Sequence, residues 1–247
     1  MDLRIQDRTA IVCGASRGLG MACARALAGE GVRVTLVARR AEALEMAADR
    51  IAEATGSRPA FVVADVGTAQ GRAAVHASSA ETDILVTNAG GPPIKDFTDL
   101  TLEDWERALD ANLLSAVELI RTFAPGMRAR RFGRIVNITS ATVRMPVARL
   151  DLSTSARLAL TGYVAGVARQ IAEDGVTINN LLPGTIMTER LAELGATADA
   201  LVARVPAGRA GKPEEFGAAC AFLCSEQAAF ITGQNLLVDG GLCTLTI

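Results

Sequence analysis

The stretch Ile11-Val12-Cys13-Gly14-Ala15-Ser16-Arg17-Gly18-Leu19-Gly20 constrains this chain more than any other. An apolar run enters it, three glycines punctuate it, and an alanine-rich helical pattern from Met21 to Ala28 leaves it. The predicted order is strand, tight turn, helix. Glycine at 14, 18 and 20 lets the backbone turn sharply and lets a ligand or a neighbouring strand come close. The start of the helix then points unpaired N–H groups over the turn, where an anionic phosphate is favoured. Three glycines alone serve any short turn. The strand before them and the helix after them supply the context that a phosphate-cradling motif requires.

The same alternation runs on to the end of the chain. After a first apolar run at 9–13, others follow at 32–37, 60–64, 83–87, 133–138, 176–182 and 234–238. Between them lie helical stretches at 41–54, 68–79, 101–111, 112–130, 150–173 and 213–224, and a helical excursion over 188–205. Thr101-Leu102-Glu103-Asp104 has the Ser/Thr-x-x-Asp/Glu form of a helix start, and Pro125 is expected to bend the long helix. Short apolar runs alternating with helices predict an α/β fold, a doubly wound Rossmann-type parallel sheet of seven strands with helices on both faces. No repeat, low-complexity segment or shift of composition marks a second unit. Residues 1–247 therefore read as a single dinucleotide-binding domain.

Composition narrows what such a fold would serve. Half the residues are apolar, enough for a large core. Twenty-five Lys and Arg against 27 Asp and Glu leave a net charge of −2, which predicts no nucleic-acid partner and no membrane surface. The five cysteines (13, 23, 220, 224 and 243) sit in apolar segments without paired spacing, as free buried thiols do. A single His leaves little for a metal site, so none is expected. No apolar run approaches the roughly 20 residues that span a bilayer, and Met1-Asp2-Leu3-Arg4 has no signal-peptide pattern. The expectation is a cytoplasmic protein acting on a small molecule.

In a doubly wound sheet ligands bind outside the carboxyl ends of the strands, so the residues after each apolar run matter most. After the second come Ala38-Arg39-Arg40, where an acid would favour NAD by accepting from the ribose hydroxyls. Arg39, with Arg17 in the glycine turn, would instead grip a 2′-phosphate through paired charge-assisted hydrogen bonds. NADP(H) is thus preferred over NAD(H). Asp65 ends the third run, where a carboxylate would accept from the adenine amino group. Asn88-Ala89-Gly90 ends the fourth and lets the backbone pass close to the adenosine half. Ser140 ends the fifth, where a hydroxyl would reach a substrate oxygen.

These residues resemble the short-chain dehydrogenase/reductase family, in the branch that includes the bacterial ketoacyl reductases. The glycine spacing is that family's Gly-x-x-x-Gly-x-Gly, not the Gly-x-Gly-x-x-Gly of long-chain dehydrogenases. The resemblance implies a cofactor turn at Gly14, Ser16, Arg17, Gly18, Leu19 and Gly20, and an adenine contact at Asp65-Val66. It implies the Asn-Ala-Gly motif at Asn88, Ala89 and Gly90, a water-binding helix Asn at Asn112, and a substrate-orienting Ser at Ser140. Pro183-Gly184-Thr185-Ile186-Met187-Thr188 is similar to the segment holding the nicotinamide carboxamide, chiefly through Pro183, Gly184, Ile186 and Thr188. Residues 233–241 resemble a C-terminal strand that usually joins a tetramer interface, which implies a homo-oligomer, tetramer or dimer.

One part departs from the family. Its catalytic Tyr-x-x-x-Lys lies about thirteen residues beyond the Ser, where this chain reads Ser153-Thr154-Ser155-Ala156-Arg157. Ser153 takes the Tyr position and Arg157 the Lys position. Tyr163, the only tyrosine, falls where the family has a packing residue, and His76 reads as a surface residue. An alkyl hydroxyl is a far weaker acid than a phenol, whose pKa is about 10. Losing a positioned general acid costs about 10²–10⁴ in rate. Arg157 stays charged and relays no proton, yet it can hold ribose hydroxyls or a substrate carboxylate, or stabilise an enolate or alkoxide.

Three readings follow. The first is an NADP-dependent reductase of an activated C=C or iminium, for which the family's acid is dispensable. The second is carbonyl reduction with another donor, such as Asp151 or water. The third is a catalytically silent NADP(H)-binding sensor or partner subunit. The segments Arg144–Arg149 and Thr188–Gly211 are expected to line the substrate pocket, and their arginines hint at an acidic substrate.

Overall fold

The computed structural model describes residues 1–79, 81–193 and 195–244. Seven strands form one sheet: β1 (Thr9–Cys13), β2 (Arg33–Ala38), β3 (Ala60–Val63), β4 (Ile84–Thr87), β5 (Gly133–Ile138), β6 (Val176–Pro183) and β7 (Asn235–Val238). Their order is β3-β2-β1-β4-β5-β6-β7 and every pairing is parallel. Parallel strands need crossovers, and the helices supply them: α1 (Gly18–Gly29), α2 (Ala41–Thr55), α3 (Ala69–Ser78), α4 (Leu102–Leu109), α5 (Ser115–Ala129) and α6 (Asp151–Ile171). Two short helices, α7 (Glu189–Ala192) and α8 (Ala196–Val202), precede α9 (Pro213–Cys224).

Because successive strand side chains point to opposite faces, each strand feeds two cores. Ala10 and Val12 of β1 pack with α1, α2 and α9, whereas Ile11 and Cys13 pack with α3, α5 and α6. A sheet covered on both sides explains why the strands read as mainly apolar runs. One row across four strands is polar. Thr87 donates to Asn137 at 2.7 Å, Asn137 to Asn180 at 3.3 Å, and Asn180 to Asn235 at 2.8 Å. These residues stand opposite one another in the ladder, so the row holds β4 to β7 in register.

Each strand bound lies within a residue of its expected place. The helices depart in two places. Residues 101–130 form α4, a π-helical turn at Asp110–Leu114 and then α5; this irregularity lies upstream of Pro125, which sits inside α5. The capping box does form, with Asp104 N–H donating to Thr101 Oγ1 at 3.2 Å and Thr101 N–H to Asp104 in return. Residues 188–205 make two short helices instead of one excursion. Gly195 begins the second with φ near +52°, which a continuous helix excludes; Leu194 lies outside the described residues.

Candidate active site

The chain leaves β1 toward β2 on one side and reaches β4 on the other, and a crevice opens at that switch point. A cavity of about 1330 Å³ fills it, lined by loops at the carboxyl ends of the strands. Gly14 and Gly18 have φ of +60° and +57°, a left-handed conformation that favours glycine. Gly20 works differently. It lies within α1 off the cavity, and a Cβ there would overlap the Gly14 carbonyl, so it seats the helix on the turn. Arg17 makes no side-chain cap at the start of α1, and the first turn holds no acid. The N–H groups beside Ser16, Gly18 and Leu19 are therefore donors for an anion in the cavity.

Beyond the end of β2, Arg39 is exposed and lines the cavity. So does Arg40, which sequence reasoning passed over although the same dipeptide signals it. Arg17 lines it too, while its guanidinium reaches Glu193 at 3.3 Å. Asp65 and Val66 form part of the wall, and the Asp65 carboxylate accepts from the Gly67 N–H at 2.9 Å. Asn88 Nδ2 donates to the Gly14 carbonyl at 3.4 Å, tying the β4 loop to the glycine turn beside Ala89 and Gly90.

Ser140, Ser153 and Arg157 meet on the opposite wall. Arg157 is 8% exposed, and α6 carries it beneath the ends of β4 and β5. Its Nη1 donates to the Ile138 carbonyl at 2.6 Å, its Nη2 to the Ala89 carbonyl at 3.4 Å and its Nε to Ser153 Oγ at 3.2 Å. All three partners are neutral. Burial, with the nearby Arg190 charge adding to it, pushes its pKa down to about 10, so it remains a cation at neutral pH. Ser140 Oγ accepts from the Thr142 N–H at 3.1 Å and lies 3.0 Å from the Thr142 hydroxyl.

Several expected residues stand elsewhere. Asn112 is buried in the π-helical turn and does not line the cavity; its Nδ2 donates to the Ala108 carbonyl at 3.3 Å. Asn112 Oδ1 meets no donor among the described residues. Asp151 is exposed and off the cavity, because two residues of helix turn it about 200° from Ser153. Tyr163 is half-buried against the α5–α6 core, roughly 15 Å along the helix from Ser153. His76 is exposed on α3, as expected. Of the two flanking segments, Met145, Val147 and Ala148 face the cavity, whereas Arg144 and Arg149 do not. From the 188–211 segment, expected at the pocket, Glu189, Arg190 and Arg204 do line it; Asp110 lines it as well, without having been singled out.

Pro183, Gly184, Thr185, Ile186 and Thr188 form the remaining wall, with Met187 turned to solvent. This wall is held from behind. Met187 N–H donates to the Gly211 carbonyl at 2.8 Å, and Gly211 N–H to Thr185 at 3.0 Å. Glu215 anchors that strap, accepting from Arg209 at 2.8 and 2.6 Å and from the Lys212 N–H at 2.7 Å. The Arg209 hydrogen bond foremost, then the Lys212 N–H, lower the Glu215 pKa from 4.5 to about 2. A depressed carboxylate contributes stability above its unfolded pKa and loses it as pH falls through the folded one. Wild-type Tm should therefore drop between pH 4.5 and about 2, and Glu215→Gln should make that fall shallower. Identical acid limbs in a thermal-melt series would show that Glu215 has no such role.

A doubly wound parallel sheet with a glycine turn and a free helix N-terminus at its switch point defines a Rossmann-type dinucleotide-binding protein. The chain belongs to the short-chain dehydrogenase/reductase family: a family model described as enoyl-(acyl carrier protein) reductase matches residues 14–243. It is 32% identical over 247 residues to 2,3-dihydroxy-2,3-dihydro-p-cumate dehydrogenase of Pseudomonas putida, covering 97% of this chain and 95% of that one. With 3-oxoacyl-(acyl-carrier-protein) reductase of Vibrio cholerae it shares 34% over 244 residues, 97% of this chain and 99% of that one. L-sorbose reductase from Gluconobacter frateurii, solved with NADPH and L-sorbose, superposes with a TM-score of 0.92 at 31% identity. That match covers 99% of this chain and 100% of the other.

Proposed function

We propose that this chain is an NADP-dependent reductase, one dinucleotide-binding unit of a homo-oligomer (dimer or tetramer), acting in the cytoplasm on an activated C=C, imine or small carbonyl. The observation that carries this reading is the Arg157 Nε–Ser153 Oγ hydrogen bond of 3.2 Å inside the cavity. The left-handed glycines and uncapped α1 fit a pyrophosphate, and Arg39 with Arg40 and Arg17 fit a 2′-phosphate. When bound, NADPH supplies the hydride.

The chain's own groups then deal with the charge that develops on the substrate. Ser153 Oγ already accepts from Arg157, so its O–H is left to donate to a substrate oxygen or nitrogen. Ser140, whose oxygen takes the Thr142 N–H, donates in the same way. Neither hydroxyl gives up its proton readily, since an alkyl hydroxyl is about as weak an acid as bulk water at about 15.7. The guanidinium of Arg157 stays charged beside them. This wall holds an oxyanion without neutralising it. An enolate formed from an activated C=C takes its proton from water afterwards, and an iminium ends neutral. A simple ketone needs its proton at the same moment, and without a donor loses about 3–5.5 kcal/mol of barrier lowering.

The test begins with NADPH affinity, followed by NADPH oxidation against ketones, enones and imines. Turnover of enones or imines above that of ketones is expected. Tight binding without turnover of any class would instead favour the silent sensor or partner subunit. Cofactor preference has its own check: Arg39→Gln should weaken NADPH binding about 10–100-fold while leaving NADH nearly unchanged, because it removes charged hydrogen bonds to one phosphate only. Equal losses for both cofactors would count against a 2′-phosphate site.

A further inference from the structure

We infer that the substrate of this site is a small organic acid whose carboxylate is received by Arg157 and Arg190. The inference rests on the reductase reading and adds the substrate's charge to it. Seven arginines line the cavity against three acidic residues. Four of the seven are accounted for: Arg39 and Arg40 stand at the adenosine end, Arg17 pairs with Glu193, and Arg107 pairs with Glu103 and Asp104. Of the other three, Arg204 follows α8, and Arg157 and Arg190 stand together. A Cβ on Gly91 would overlap the Arg190 guanidinium, and Gly91 lies two residues beyond Ala89, whose carbonyl takes Arg157. That closeness lets the Arg190 charge add to burial in lowering the Arg157 pKa.

Neither guanidinium has a carboxylate within 4 Å among the described residues. Arg157 spends three of its five N–H groups on neutral oxygens and keeps one on each Nη. A buried cation without a counter-ion is costly, and a second cation beside it adds to the cost. An anion arriving between them offsets both. Arg190 lines the cavity and is exposed, so an anion can reach it from solvent. The chemistry needs nothing further. Hydride from NADPH adds to the C=C or C=O carbon, the displaced electron pair goes to oxygen, water supplies the proton and NADP⁺ leaves, while the carboxylate stays intact as the handle.

Binding of non-reducible acids tests this apart from turnover. Acetate, benzoate and succinate are each titrated calorimetrically against the matching amide, with and without saturating NADPH, on wild type and Arg190→Gln. Arg190 is exposed, so its variant folds; Arg157→Gln is avoided because three internal hydrogen bonds would go with it. At least one acid should bind NADPH-loaded wild type tenfold or more tightly than its amide. Arg190→Gln should erase that difference and leave NADPH affinity within twofold. The inference is overturned by acids and amides binding alike, by a preference that survives Arg190→Gln, or by one that NADPH abolishes, which would put the anion at the phosphate end. Failure to bind NADPH at all would strike the reductase reading alone. The comparison of acids with amides on the free protein then still decides the carboxylate site.

Discussion

Replacing Ser153 by Tyr and Arg157 by Lys together is expected to raise NADPH-dependent reduction of simple ketones by about 10²–10⁴-fold. The cavity of about 1330 Å³ has room for a phenol at 153, and the α6 backbone already holds the two positions one helical turn apart. Lysine at 157 would keep the positive charge under Ile138 and Ala89, though with fewer donors for their carbonyls. A phenol beside an ammonium has its pKa drawn below about 10, within reach of proton donation near neutrality. Ser153→Tyr alone should gain less, because an arginine does not relay the proton onward. The measurement is kcat on a neutral ketone at saturating NADPH. If the double variant binds NADPH as wild type does and gains nothing, the substrate carbonyl does not reach position 153.

The second large effect concerns the turn itself. Gly20→Ala is expected to destabilise the protein by about 3 kcal/mol or more, the range of severe core overpacking. For a chain of this size that corresponds to a Tm lower by roughly 6–12 °C. Its backbone is ordinary helix, so conformational strain is not the cause; a methyl there would overlap the Gly14 carbonyl and lies close to that of Cys13. Gly18→Ala provides the contrast. Its Cβ would lie 3.7 Å from the nearest atoms, and only the left-handed φ of +57° opposes it, a cost of about 1–2 kcal/mol. Melting curves of the two variants should separate in that order. A Gly20→Ala protein as stable as Gly18→Ala would mean that α1 shifts to admit the methyl.

Much of the architecture was legible because it repeats. Each mainly apolar run flanked by helical stretches became a strand, since a strand covered on both faces is apolar wherever its side chains lack a partner such as the Thr87–Asn235 row supplies. The glycine turn was legible for the same kind of reason: local spacing decides backbone geometry. Side-chain reach was less legible. Arg144–Arg149 and 188–211 were both expected at the pocket, yet only packing decides that Arg190 and Arg204 reach it while Arg144, Arg149 and Arg209 do not. Asp151 and Arg149 sit close in sequence to Ser153, yet helix rotation and a left-handed φ of +67° at Arg149 keep them off it.

By itself, then, the order of residues determined the parallel sheet, the glycine turn and the placing of Ser153 and Arg157 one helical turn apart, because these depend on residues near one another along the chain. Only the tertiary structure decided that Arg157 is a buried cation bound to neutral oxygens, with Arg190 beside it and no carboxylate opposite among the described residues. That arrangement draws on β4, β5, α6 and the segment after β6. Their meeting is a matter of packing, and it is the packing that gives an arginine its dielectric surroundings and its charge a purpose.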